Sequence, residues 1–180
     1  MPPDEWLLER LRADDASALA ALLDRHWAPL VAFLVRSTGS SPDHASDIAQ
    51  EAFCRLWERR ALWRAEGSVR GLLFRLVRNL AVSEHRRRVA RDRAASALVE
   101  SLDTAVPPGG APERDELRVA LERGIAALPA RRREVFLLRR VEGLSHKQIA
   151  ELMGTSTQTV ANQLSHALAT LRRDLAHLVE

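Results

Sequence analysis

Apolar residues recur along this chain at the three- and four-residue steps of helices packed on one side. A first stripe, Leu19, Leu22, Leu23, Trp27, Leu30, Val31, Leu34 and Val35, follows Asp14 and Asp15 and ends at Gly39. Pro29 within it predicts a kink or a division into two helices. Ser41 and Pro42 supply an N-cap and a first helical residue for a second helix reaching about Arg60. Ala45, Ile48, Ala49, Ala52, Phe53, Leu56 and Trp57 form its apolar face. After a break from Arg64 to Ser68, Ser68 can cap a third long helix with Leu72, Leu73, Leu76, Val77 and Leu80 on its core side. The pattern dissolves from about Ala94 to Pro112, where the run from Val106 to Pro112 (VPPGGAP) excludes helix and reads as a flexible linker. Beyond it, Leu117, Leu121 and Ile125 mark a helix from Glu113 to Ala127, stopped by Leu128-Pro129. Another starts at Ala130 or Arg131, buries Val135, Phe136, Leu138 and Val141, and ends at Gly143. The fold class expected is all-α: two small helical domains, 1–93 and 113–180, joined by a linker over 94–112.

The stretch from Leu144 to Leu175 has a pattern of its own. Ser145 can cap a short helix in which Ile149, Leu152 and Met153 share a face, and Gly154 stands where that helix must stop. Ser156 can cap a second helix whose apolar stripe is Val160, Leu164, Leu168 and Leu171. Its opposite side carries Gln158, Asn162, Gln163, His166 and Arg172, groups suited to base edges and phosphates. Two helices joined by so tight a turn make a helix-turn-helix, which can lay its second helix in a major groove. A helical hairpin with a solvated face is the plainer alternative.

Charge sharpens this picture. The net charge is only +3, but Lys147 is the sole lysine and the arginines raise the pI to about 10.2, which suits a polyanionic partner. Arg75, Arg78, Asn79, Val82, Ser83 and Arg86 share one face of the third long helix, and arginine is concentrated between Val69 and Arg93. Such a cluster suits phosphate tracking, although arginines can also merely solubilise a helix. The second helix has a mixed outer face of Asp47, Gln50, Glu51, Cys54, Arg55 and Glu58, which alone would read as solvated.

Other chemistry is not indicated. Cys54 is the only cysteine, leaving no disulfide framework or cysteine zinc site, and reads as a small, partly buried side chain. The six histidines are scattered, and no nucleophile–base pairing, metal-ligand spacing or phosphate-cradling glycine loop is present. No enzymatic activity, cofactor or metal is expected. The acidic start lacks the positive region and apolar run of a signal peptide, and no segment reads as a membrane span. A soluble, cytoplasmic protein is expected.

Together these stretches resemble a bacterial sigma factor of the extracytoplasmic-function group of the sigma-70 family. Asp47-Ile48-Ala49-Gln50-Glu51-Ala52-Phe53, followed by Arg55-Leu56-Trp57, resembles the family's D-x-x-Q-E-x-F segment. The segment 71–81 (GLLFRLVRNLA) resembles its promoter-melting and −10-recognition helix. Leu128-Pro129 with 133–138 (REVFLL), and 142–145 (EGLS) with Ile149-Ala150, resemble the entry to the −35-binding domain.

The resemblance implies roles that spacing does not supply. Asp47, Gln50, Glu51 and Arg55 would dock on the clamp helices of the polymerase β′ subunit. The break containing Gly67 and Ser68 would help hold a −10 base flipped from the non-template strand. Arg75, Arg78, Asn79, Ser83 and Arg86 would hold that strand. Thr157, Gln158, Thr159, Asn162, Gln163, Ser165, His166 and Arg172 would meet the −35 element, with the surrounding scaffold touching the β flap. A separate anti-sigma protein is the expected control.

Many relatives carry basic residues where Ala161 and Gln163 stand here, and the pattern around Val160, Asn162 and Leu164 is similar to members linked to iron uptake or TonB-dependent signalling. Two rival readings remain: a self-sufficient helix-turn-helix regulator and a helical adaptor with no nucleic-acid role. The first leaves the arginine helix and the acidic-amide segment unexplained; for the second, substitution of Asn79 and Arg75 should leave partner binding intact.

Overall fold

The computed structural model describes residues 2–63, 68–95 and 113–176. The described residues are helical with short connections and contain no strand. The chain divides into two compact units, Met1–Glu100 and Ser101–Glu180. The expected linker, 94–112, lies mostly outside the described residues, except that Ala94 and Ala95 still belong to a helix.

The first unit contains α1 (Asp4–Arg12), α2 (Ala16–Thr38), α3 (Pro42–Glu58), a 3-10 turn (Arg60–Leu62) and α4 (Val69–Ala95). Helix α1 was not expected from the pattern. It is short, but Asp4 and Glu5 in its first turn and Arg10 and Arg12 in its last complement the helix dipole. Leu7, Leu8 and Leu11 are buried. The chain turns at Asp14, a non-glycine residue at φ +63°, and Asp15 then caps α2 by accepting from the Ser17 amide at 2.9 Å. Hydrogen bonds from the Ser17 hydroxyl and from Arg10 hold the Asp15 carboxyl at about 2.

Helix α2 runs without interruption through Pro29, so the expected division does not occur. An interior proline costs about 3 kcal/mol. Burial of Leu22, Leu30, Phe33 and Leu34 offsets this, at roughly 1.5–3 kcal/mol for each large apolar side chain. Gly39 at φ +73° ends the helix as expected. By length and composition α2 is also apolar enough to cross a membrane, contrary to the reading that no segment qualifies. In this unit it is the central helix, packed against α1, α3 and α4.

Ser41 caps α3, with Pro42 at its first position. Helix α4 starts from Ser68, whose Oγ accepts from the Gly71 amide at 3.0 Å. Phe74, absent from the apolar face expected for this helix, is completely buried and meets Phe33 edge-on, with ring centroids 5.2 Å apart. Trp27 stacks near Phe53 at 6.3 Å.

One polar cluster ties α1 to α2. The carboxylate of Asp4 bonds both Arg25 and His26, the His26 Nε2 donating to Oδ2 at 2.7 Å, while Arg25 also donates to the Pro2 carbonyl at 2.9 Å. His26 is buried, and burial lowers its pKa; Asp4 opposes the shift, while Arg70 and Arg25 reinforce it. A depressed histidine means that the unfolded chain binds the proton more readily. The stability His26 confers is therefore present above its ordinary value near 6.5 and declines as the pH falls below it. Urea unfolding at pH 7.5 and 5.5 should show the first unit losing stability at the lower pH, and His26→Gln should reduce that loss. Equal losses in the two proteins would count against this role. Tryptophan fluorescence isolates the unit, because Trp6, Trp27, Trp57 and Trp63 are the chain's four tryptophans.

The second unit contains α5 (Glu113–Ala127), α6 (Ala130–Phe136) with a π-helical continuation (Leu137–Val141), α7 (His146–Met153) and α8 (Thr157–Leu175). Helix α5 has its expected bounds but not its expected burial, since Leu117 and Leu121 are exposed. It packs against α8 near Gly124, where an added Cβ would lie 3.0 Å from Leu171. Val135, Phe136 and Leu138 are buried as expected, together with Leu137, whereas Val141 is exposed. The π-helical segment explains the difference. Each residue there advances less than the 100° of an α-helix, so five residues carry Val141 off the apolar face.

Candidate nucleic-acid interface

Three exposed faces carry the chemistry anticipated from the residues. On α4, Arg75, Asn79, Ser83 and Arg86 are exposed and Arg78 is half-buried. The twelve residues from Arg75 to Arg86, eleven helical steps, span about 16 Å of helix, the length of roughly five nucleotides of one stacked strand. The opposite side holds Leu72, Leu73, Phe74 and Val77 in the core, while Leu76 and Leu80 are half-buried. Exposed Arg87, Arg88 and Arg91 prolong the cationic surface; the arginine run was the sequence signal for them. Ser68 stands at the head of this helix, half-buried. Gly67 lies outside the described residues.

On α3, Asp47, Gln50 and Glu51 are exposed and Arg55 is half-buried. Arg55 Nε donates to Glu51 Oε1 at 2.7 Å, one turn apart. Cys54 is exposed rather than partly buried, because its helical position places it with Glu51 and Glu58 and away from the Ala52–Phe53–Leu56 core side. Trp57, expected in the apolar face, is half-buried beneath the Arg60 guanidinium, 4.4 Å from its ring centroid.

The helix-turn-helix is built by local devices. Ser145 and Gln148 form a reciprocal capping box, the Gln148 amide donating to Ser145 Oγ at 3.2 Å and the Ser145 amide to Gln148 Oε1 at 2.8 Å. Gly154 ends α7 at φ +61°, a left-handed conformation that glycine adopts at little cost. Ser156 Oγ then accepts from the Thr159 amide at 3.0 Å and lies 2.8 Å from the Thr159 hydroxyl. Val160, Leu164, Ala167 and Leu171 are buried along α8; Leu168, expected in that stripe, is half-buried and Ala167 takes its place.

The outer face of α8 presents Thr157, Gln158, Asn162, Ser165, His166 and Arg172, all exposed. Thr159 and Gln163 are half-buried at its margin. Gln158 Nε2 donates to Asn162 Oδ1 at 3.0 Å, a bond that the sequence pattern did not reveal. Residues 157–162 occupy the opening turns, the part of a recognition helix that reaches base edges. Arg172 lies about 21 Å from Gln158 along the axis, where a phosphate contact is the more natural use.

Comparison with known proteins identifies both units. The sigma-70 region 2 model matches residues 23–91, and the sigma-70 region 4 model matches residues 118–171. The RNA polymerase sigma factor RfaY of Xanthomonas campestris pv. campestris is 37% identical over 73% of this chain, which spans only 34% of that protein. The sigma-H factor of Pseudomonas aeruginosa is 26% identical and the ECF sigma-E factor of Escherichia coli 27%. Each aligns over 98% of this chain, and over 95% and 96% of its own length respectively. Among solved structures, the sigma factor RpoE of Bartonella quintana, in complex with the anti-sigma factor NepR, shares the fold with a TM-score of 0.69 at 22% identity, covering 87% of this chain and 96% of that one. CnrH, in complex with the cytosolic domain of CnrY, gives 0.68 at 23%, covering 97% of both chains. With region 2 matched in the first unit and region 4 in the second, the chain belongs to the extracytoplasmic-function group of the sigma-70 family.

Proposed function

We propose that this protein joins core RNA polymerase and directs it to one class of promoter, with the two units dividing the work. The exposed face of α3, through Asp47, Gln50, Glu51 and Arg55, docks on the β′ clamp helices. The face of α4 takes up the −10 element as the duplex opens, with Gly67 and Ser68 beside a flipped base. Arg75, Arg78, Asn79, Ser83 and Arg86 hold the strand. Helix α8 reads the −35 element through its amide-rich side while its scaffold meets the β flap. The protein acts in the cytoplasm, is no enzyme, and is held in check by a separate anti-sigma protein.

The observation that carries this reading is the two-sided construction of α4. One side is locked in a leucine–phenylalanine core, and the other exposes arginines and an asparagine over a length suited to one nucleic-acid strand. Melting costs a few kcal/mol per unstacked base, and capture of the extruded strand can offset it only if those groups are already in place. The domain limits follow the same division: region 2 over 1–93, a linker over 94–112 and region 4 over 113–180.

Run-off transcription from a promoter library with core polymerase tests the whole proposal. Transcripts dependent on the protein and sharing two upstream elements are expected. Operator-like binding to duplex DNA without polymerase, and no such transcripts, would return the chain to the class of independent regulators. A narrower test concerns Asn79, exposed on α4. Asn79→Ala should reduce open-complex formation about tenfold, the order of one lost hydrogen-bonded contact, while polymerase affinity stays within twofold. Equal loss in both assays would remove Asn79 from the melting role.

A further inference from the structure

Base reading by an asparagine depends on which end of its amide faces which base atom. The amide offers an acceptor oxygen and a donor NH2 separated by one carbon, and a half-turn about the terminal bond exchanges them. A bidentate contact to adenine requires the oxygen at N6 and the nitrogen at N7; the exchanged amide presents donor to donor and acceptor to acceptor. An exposed asparagine on a helix has no internal reason to prefer either orientation.

On α8 the Asn162 amide is paired with a second exposed amide, so its orientation is tied to that of Gln158. Gln158 Nε2 donates to Asn162 Oδ1 at 3.0 Å across one helical turn. We propose that Gln158 is a positioning residue for base reading by Asn162, fixing the oxygen end of its amide on the Gln158 side and leaving the amide hydrogens for the groove. The inference rests on the proposed placement of α8 in the −35 groove and adds a specific division of labour to it. Asn162 Oδ1 keeps a second lone pair, and Asn162 Nδ2 keeps both hydrogens, so the fixed amide still has acceptor and donor to offer. Only their order along the groove is decided.

Gln158→Glu gives the sharpest test. The side chain keeps its shape, but its terminal atoms become acceptors only, so Asn162 must present Nδ2 to it and the amide turns over. Negative charge near phosphates will weaken binding at every sequence, so the readout is the relative base preference at each −35 position in run-off transcription from a randomised library. The full-length protein with core polymerase is used, and circular dichroism verifies each fold.

Asn162→Ala first identifies the position read by that residue. Gln158→Ala should then lower the preference at that position about three- to tenfold, the effect of losing one orienting hydrogen bond. Gln158→Glu should replace the preferred base there. If Asn162→Ala alters no position although a −35 preference persists, Asn162 reads no base and the positioning role is overturned; protein-dependent transcripts that share no −35 element would instead overturn the placement of α8. If Asn162→Ala relaxes one position while both Gln158 variants keep the wild-type preference there, the helix placement stands and the positioning role is overturned. A change confined to a different position in the Gln158 variants overturns it too, by making Gln158 an independent reader.

Discussion

Phe74→Ala is expected to remove about 3–5 kcal/mol from the stability of the first unit, the usual cost of deleting a buried phenylalanine side chain. Phe74 is completely buried and its ring meets Phe33 edge-on, so truncation opens a cavity between α2 and α4 and forfeits an aromatic pair. A domain of this size holds about 5–15 kcal/mol in all. The variant should therefore unfold at much lower urea concentration, reported by the four tryptophans, all in that unit. Phe74→Leu, which retains most of the apolar volume, should recover a large part of the loss. A decrease below about 1 kcal/mol for the alanine variant would show that the site collapses without a cavity. The functional consequence follows from adjacency: Arg75, Arg78 and Asn79 lie on the same two turns, and a helix with a loosened core cannot hold them in a preset order.

Glu51→Arg is expected to weaken binding to core polymerase by roughly thirtyfold or more, corresponding to the 2–5 kcal/mol lost when one partner of an interfacial charge pair is removed or reversed. The fold should tolerate the change. Glu51 is exposed, and its pairing with Arg55 at 2.7 Å is an i,i+4 surface contact worth only about 0.3–0.5 kcal/mol. The new arginine would face Arg55 and present like charge to whatever cationic surface the wild-type carboxylate meets. A fluorescence-anisotropy titration of labelled protein with core polymerase measures the effect, with urea unfolding as the control for stability. Undiminished affinity would reject α3 as the docking face.

The helix ends were the most legible part of this chain, because each is set by one or two residues with short-range chemistry. Ser41, Ser68, Ser145 and Ser156 make the hydrogen bonds expected of caps, and Gly39 and Gly154 adopt positive φ at the expected stops. Burial was less legible, since it depends on what packs against a face. Phe74 flanks the apolar stripe of α4, yet it is buried because α2 and α3 both pack against this helix. Leu117 and Leu121 form a regular stripe on α5 but remain exposed, and Val141 is turned outward by a change of helical pitch that no apolar period announces. Helix α1 is not legible in the pattern, because three leucines in nine residues make too short a period.

The candidate site divides in the same way. The faces carrying Glu51, Arg75 and Asn162 could be drawn from helical spacing, but spacing could not distinguish a docking surface from a solvated one. Those roles came from the resemblance of whole segments in order. The bond between Gln158 and Asn162 is permitted by their four-residue separation, but its direction depends on side-chain geometry.

Helix α8 keeps its core residues and the residues proposed to read DNA on separate sides: Val160, Leu164, Ala167 and Leu171 are enclosed, while Gln158, Asn162 and His166 are exposed. Exposed substitutions of this kind usually alter stability by no more than about 0.5 kcal/mol. Duplicated copies of such a gene could therefore drift apart in the sequences they address without passing through unfolded ancestors. The same separation offers a way to build parallel genetic circuits, with new addresses written on one side of a helix whose other side is left untouched.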